Sequence, residues 1–195
     1  MSRADWVTIE RKYVNMTDVN FLRPVAAVDE SAQSANASEA PAYDLIELLF
    51  FAYRDFVADA DAMLTQYDFG RAHHRVLHFV DRNPDLTVAE LLDILRITKQ
   101  SLGRVLKELI DEGFVLQREG ASDRRQRLLR TTEKGRALAL DLAMLQTRRI
   151  ERALQETGGG AHSVAARFLL ALVDADKRGE VLRVVRGDAG EGEAS

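Results

Sequence analysis

Two capped helices joined by a short turn, two short strands just after them, and long apolar-periodic segments on either side predict a mainly α fold with a small β-hairpin wing. That arrangement is a winged helix-turn-helix framed by N- and C-terminal helices. Composition agrees: 46% of the 195 residues are hydrophobic, only three are proline, and alanine, leucine, arginine and glutamate dominate. Such a balance favours helix over strand.

Residues 1–42 lack apolar periodicity. The stretch "DESAQSANASEAPA" is small, polar and weakly acidic, and reads as part of a flexible N-terminal tail. From Tyr43 to about Gln66, Leu45, Leu48, Leu49, Ala52, Phe56 and Met63 fall mostly at three- and four-residue steps, the mark of an amphipathic helix. Phe50, Phe51, Tyr53 and Val57 widen the stripe, giving this helix surface for a core on one side and a second subunit on the other. These aromatics read as core or interface rather than as a cofactor box. The motif "YDFG" closes the segment at Gly70.

"RAHHRVLHFVDR" is a short helix stopped by Asn83-Pro84. Thr87 and Glu90 have the spacing of a capping box for a helix from about Val88 to Leu95. After a short turn, Thr98 is the N-cap of a second helix reaching about Glu112. Leu102, Val105, Leu106, Leu109 and Ile110 make its core face, and Gly113 stops it. "FVLQRE" and "RLLRT" are two strands flanking the polar tip "GASDRRQ". Thr132 caps a long helix from about Glu133 to Gln155, broken by "TGGG". A last helix is expected from about His162 to Lys177, followed by a flexible tail over residues 179–195. The organisation is thus a tail (1–42), a domain (43–178) with the winged helix-turn-helix at about 70–132 between helices at about 43–66 and 133–178, and a second tail.

The chain has no cysteine, which excludes disulfides, thiolate metal sites and thiol redox switches. No apolar run approaches the ~20 residues that span a bilayer, and the N-terminus lacks the apolar core of a signal peptide. We expect a cytoplasmic protein with no membrane partner. No nucleophile stands at a credible spacing from a base, and there is neither a Gly-rich phosphate loop nor HExxH. Neither enzymatic activity nor a cofactor is expected.

Charge points to a polyanion. The net charge is −4. Yet from Arg96 to Arg136 there are eleven Lys and Arg against six Asp and Glu, a local +5 in a chain whose remainder carries −9. This segment is the electrostatic footprint of a nucleic-acid site. On the outer face of the second helix lie Lys99, Gln100, Ser101, Arg104 and Lys107. Gln100 and Arg104 suit bidentate contacts to adenine and guanine edges; Lys99, Ser101 and Lys107 suit phosphates. Gly103, on the same face, costs helix stability and is consistent with close approach to the duplex. At the wing, Arg124, Arg125 and Arg127 suit a narrow minor groove. Arg130 and Arg127 lie in the second strand, where packing or phosphate contact is an alternative. Gly120 and Ser122 let the tip turn. Asp123 is expected to structure the wing, by holding an arginine bidentately or fixing the turn.

The run "ITKQSLGRVLKELIDEGFVLQREGASDRRQRLLRTTEKGRAL" resembles the MarR family of bacterial transcriptional regulators. The family wing pattern is Asp-x-Arg, three residues, Leu-x-Leu-Thr, then a Thr-Glu-x-Gly helix start. Asp123, Arg125, Leu129 and Thr132 match it and "TEKG" follows; Thr131 replaces the second leucine, a change expected to weaken wing packing slightly. The resemblance implies a homodimer whose first and last helices form the dimer region, a pseudo-palindromic double-stranded DNA partner, and repression released by a small-molecule effector. It also implies a ligand pocket between the dimer helices and the DNA-binding lobe, with Tyr53, His74 and His78 as candidate lining.

Two alternatives remain open at this level. His73, His74 and His78 could hold a metal, since His74 and His78 share a helix face; helical histidines more often cap or pack, and no metal is expected. The winged helix could also be a protein-interaction module. Cationic groups on both the helix and the wing favour DNA.

Overall fold

A computed structural model describes residues 40–120 and 125–187. The chain divides into two units, residues 1–42 and 43–195; of the first, only Ala40–Ala42 are described, and they are exposed. The second unit runs α1 (Tyr43–Leu64), a 3-10 turn (Thr65–Tyr67), α2 (Arg71–Arg82), β1 (Leu86–Thr87), α3 (Val88–Leu95), α4 (Lys99–Asp111), β2 (Val115–Glu119), β3 (Arg127–Thr131), α5 (Glu133–Thr157), α6 (Ala161–Ala171), a second 3-10 turn (Ala175–Lys177) and α7 (Arg178–Arg186). It is mainly α with a small antiparallel sheet, the expected winged helix-turn-helix between N- and C-terminal helices.

Local chemistry sets the helix boundaries. Thr87 Oγ1 accepts the Glu90 N–H (3.1 Å) while Glu90 Oε2 accepts the Thr87 N–H (2.8 Å), closing the capping box that starts α3. Arg96 ends α3 in the left-handed conformation, at φ 50°, and Arg75 of α2 donates to the Leu95 carbonyl (2.9 Å), satisfying one of the orphan acceptors at that terminus. Thr98 Oγ1 accepts the Ser101 N–H (3.1 Å) to start α4. Gly113, at φ 74°, ends the turn after α4, where only a residue without Cβ is unstrained.

The core gathers where α2, α3, α4 and the sheet meet. Leu77, Leu91, Leu102, Leu109, Phe114 and Leu129 are fully buried in it. Phe114 packs edge-on against Tyr67 and Phe69 (centroids 5.5 and 5.2 Å), and Lys134 Nζ lies 4.0 Å over its ring, a cation-π contact.

The sheet order is β1-β3-β2, with Leu86 opposite Leu129 and Gln117 opposite Leu129 on the other side. Only β2 and β3 follow from the sequence pattern. β1 has two residues, too few for alternation to show, and Thr87 in it doubles as the helix cap. Thr131, which stands in place of the second leucine, donates its Oγ1 to Asp81 Oδ1 (2.9 Å) and ties β3 to α2.

The C-terminal region requires correction. The last helix does not run to Lys177, and residues 179–186 are not a tail. α6 ends at Ala171, Asp174 takes an extended backbone (ψ 134°), and α7 follows. α7 forms because Val181, Val184 and Val185 recur at helical spacing; with Phe79 and Ile94 they line a cavity of about 400 Å³ against α2 and α3. Arg82 Nη2 donates to the Val185 carbonyl (3.3 Å). Gly70, expected to close the first helix, instead precedes α2 as its N-cap. No helix among the described residues is long and apolar enough to cross a membrane.

Candidate nucleic-acid interface

α4 places Leu102, Val105, Leu106 and Leu109 in the core, so its opposite face must meet solvent. Lys99, Gln100, Ser101, Gly103, Arg104 and Lys107 all stand exposed there. The structure thus brings five expected contact residues onto one surface. They are not equally free. Ser101 Oγ accepts from Thr98 Oγ1 (2.9 Å), Arg104 Nε lies 3.4 Å from Glu108 Oε1, and Lys107 pairs with Asp111. Asp111 pushes the Lys107 ammonium pKa upward, so the charge is firmly held. Exposed i,i+4 pairs of this kind are weak, being screened by solvent, and exchange readily for a phosphate.

Beside α4 the wing closes a cleft of about 780 Å³. Val88, Leu92, Leu106 and Ile110 floor it, and Lys99, Lys107, Arg125 and Arg127 rim it. Arg127 Nη1 donates to Glu119 Oε1 (2.9 Å) across the hairpin, so part of its role is to clamp β2 to β3. Asp123 and Arg124 lie outside the described residues. Gly120 N–H donates to the Gln126 carbonyl (3.1 Å), closing the wing below its tip.

Among the described residues Asp85 organises two wing arginines. Arg118 of β2 donates to Asp85 Oδ1 (2.6 Å), Arg130 Nε donates to the same oxygen (2.8 Å), and Arg130 Nη2 takes Oδ2. Arg130 is therefore a strut of the wing base. Asp85 follows Pro84 in the turn before β1, where the sequence pattern marks nothing beyond a helix stop. Its partners are 33 and 45 residues away, beyond any local spacing signal.

The Arg130 and Arg118 guanidinium groups hold the Asp85 carboxyl below the ordinary carboxylate value. A depressed folded pKa stabilises the fold above the unfolded pKa, and that contribution is lost as pH falls through the folded value. Asp85 sits at φ 68°, which asparagine tolerates, so Asp85→Asn removes charge without adding strain. We expect Asp85→Asn to lower stability by ~1 kcal/mol at pH 7, as for a geometrically good surface network. The difference between variant and wild type should shrink as pH falls below the unfolded carboxylate value and on through the lowered folded value of Asp85. Denaturant titrations at pH 7 and pH 3 check this; an equal gap at both pH values would rule out the ion network as its source.

A second cavity of about 270 Å³ lies among α1, α2 and α5. Tyr53, Phe56, Arg71, His74, His78 and Gln146 line it, so the structure gathers all three residues expected to line a pocket. Burial pushes both histidine pKa values down; His78 pushes His74 further, and Arg82 does the same to His78. Both rings are then neutral at pH 7, each offering one donor and one acceptor. His73, the third member of the cluster, points away from this cavity toward α4. Among the described residues no three His, Asp or Glu side chains gather as a metal site.

The MarR family model matches residues 67–126, from the turn before α2 to the wing. The HTH-type transcriptional regulator PetP of Rhodobacter capsulatus is 48% identical over 129 residues, covering 66% of this chain and 78% of its own length. Among solved structures, Streptococcus pneumoniae FabT in complex with DNA is similar with a TM-score of 0.60 at 18% identity, over 67% of this chain and 93% of that one. The transcriptional repressor CouR, bound to a 23-mer DNA duplex, is similar with a TM-score of 0.52 at 27% identity, over 68% and 91%. With this fold, this matched region and nearly half of its residues shared with PetP over two thirds of its length, the chain belongs to the MarR family of winged helix-turn-helix transcriptional regulators, which are not enzymes.

Proposed function

We propose that the protein is a homodimeric, sequence-specific repressor that binds a pseudo-palindromic operator and leaves it when a small ligand binds. One observation carries the reading: the face of α4 bearing Lys99, Gln100, Ser101, Arg104 and Lys107 is exposed beside a cationic wing. Phosphate neutralisation and counterion release supply affinity. Gln100 and Arg104 in the major groove, with Arg124 and Arg125 in the minor groove, supply specificity. CouR, a repressor bound to duplex DNA, supports repression.

Residues 43–66 and 133–178 form the dimer region and set the two α4 helices one DNA turn apart, ~34 Å. Apolar residues left exposed on α1 and α6 support this. The effector occupies the cavity of Tyr53, His74 and His78, between the dimer helices and the DNA-binding lobe. By binding one spacing of the two heads better than the other, it shifts the population toward a form with low operator affinity. Such a regulator acts in the bacterial cytoplasm.

Fluorescence anisotropy tests the reading, with duplex from upstream of the gene, a scrambled duplex and a salt series. Wild type should prefer the upstream duplex. Changing Arg124 and Arg125 to alanine should weaken binding about 10²-fold or more and flatten the salt slope by ~0.9 for each phosphate that is no longer neutralised. Equal, weak binding of both duplexes, unaltered in the double variant, would count against it.

A further inference from the structure

Adjacent histidines on α2 face opposite ways. His74 lines the cavity described above, while His73 is buried against α4. Gly70 N–H donates to His73 Nδ1 (3.1 Å). A backbone N–H can only donate, so Nδ1 must accept, and the ring proton sits on Nε2. That proton points at Glu108 Oε2, 2.7 Å away. The ring is further fixed by stacking on Phe69, at 4.5 Å and 7° between planes. Glu108's other oxygen, Oε1, lies 3.4 Å from Arg104 Nε. One carboxylate on the recognition helix is thus shared between a buried histidine and an exposed arginine.

A carboxylate on this face needs a reason, because it repels phosphates. We propose that Glu108 is a positioning residue: anchored by His73, it holds Arg104 by Nε and leaves the two terminal nitrogens as the fork that reads a base edge. The inference rests on the reading above that Arg104 contacts DNA. An exposed i,i+4 pair is by itself too weak to fix an arginine. The buried imidazole supplies the missing rigidity, since it removes the rotamer freedom of the carboxylate rather than of the arginine. Orienting the guanidinium beforehand raises discrimination; the negative charge lowers sequence-independent affinity. The two effects have opposite signs, which a merely structural role would not produce.

The test begins with selection of duplexes from a randomised library by the wild-type protein. A panel of the selected duplex with each base pair changed in turn is then titrated against wild type, Arg104→Ala, Glu108→Ala, Glu108→Gln and His73→Phe. Arg104→Ala identifies the base pair that Arg104 reads. Glu108→Ala should lose discrimination at that same base pair, by ~5-fold or more of the 10- to 100-fold that a bidentate contact gives, and should bind a scrambled duplex more tightly. Glu108→Gln keeps an acceptor for His73 Nε2–H but presents an amide NH2 to Arg104, and should lose the same discrimination while keeping the melting temperature. His73→Phe keeps the stack on Phe69 without the donor, and should shift the profile in the same direction. Full discrimination in both Glu108 variants, or parallel loss of specific and scrambled binding with the melting temperature, would overturn the proposal. A flat profile for Arg104→Ala would instead overturn the DNA-reading role of Arg104 itself, and this inference with it.

Discussion

Leu49→Asp is expected to leave a folded monomer whose operator affinity is about 10²- to 10⁴-fold below wild type, the range gained when two linked heads bind together. No residue of α1 before Val57 is buried. Leu45, Ile46, Leu48, Leu49, Phe50 and Phe51 are all exposed, and so are Val164, Phe168 and Leu169 of α6, which buries nothing, and Leu172 just after it. Exposed apolar side chains in such number are what the proposed dimer interface would cover. In the proposed dimer it is covered by the partner, and a carboxylate at Leu49 becomes an unpaired buried charge, costing several kcal/mol. Within one subunit Leu49 is 48% exposed, so the subunit's own core is untouched. Sedimentation velocity reads the association state and anisotropy the affinity, with thermal melting as a control on folding. A variant that sediments with wild type, both as dimers, would place the interface elsewhere; a wild type that is monomeric at micromolar concentration would remove it.

The same residues show which parts of the fold the sequence reveals. α3 and α4 are legible to the residue at their starts, because Thr87 with Glu90 forms a local capping box and Thr98 is a local N-cap. The wing strands are legible because Val115, Leu129 and the tip between them form a local pattern. The exposed face of α4 follows from its core face by exclusion. What stays hidden acts across distance. Asp85 reaches Arg118 and Arg130, and His73 reaches Glu108, across 33 to 45 residues, where no periodicity connects them. The cavity of Tyr53, His74 and His78 follows from the family resemblance rather than from spacing. α7 is hidden for a different reason: Gly179 and the charged run "DADKRGE" look like a terminus, yet a helix forms there whose Val181 and Val184, both partly buried, line one cavity with Phe79 of α2 and Ile94 of α3.

Gly135→Ala should destabilise the protein by about 2–3 kcal/mol, although alanine is the better helix former by ~1 kcal/mol. Gly135 is buried in the first turn of α5. A Cβ built there would lie 1.9 Å from the Phe114 carbonyl oxygen and 2.9 Å from its carbon. Neither can retreat easily. The Phe114 carbonyl accepts the Thr132 N–H (3.0 Å), the Phe114 N–H is bonded to the Leu109 carbonyl (2.8 Å), and the ring is locked among Tyr67, Phe69 and Lys134. The glycine of the "TEKG" motif is thus explained by packing: it lets α5 rest directly on the backbone that joins α4 to the wing. Gly103 in α4 provides the contrast, since a Cβ there meets nothing within 4 Å. Gly103→Ala should gain the full propensity difference of ~1 kcal/mol, and, if the backbone there approaches DNA closely, should lose operator affinity at the same time. Scanning calorimetry at fixed protein concentration separates the two, with Gly135→Ala melting roughly 5–10 °C below wild type and Gly103→Ala roughly 2–4 °C above it. A Gly135→Ala protein as stable as wild type would mean that the α5 start shifts freely over Phe114.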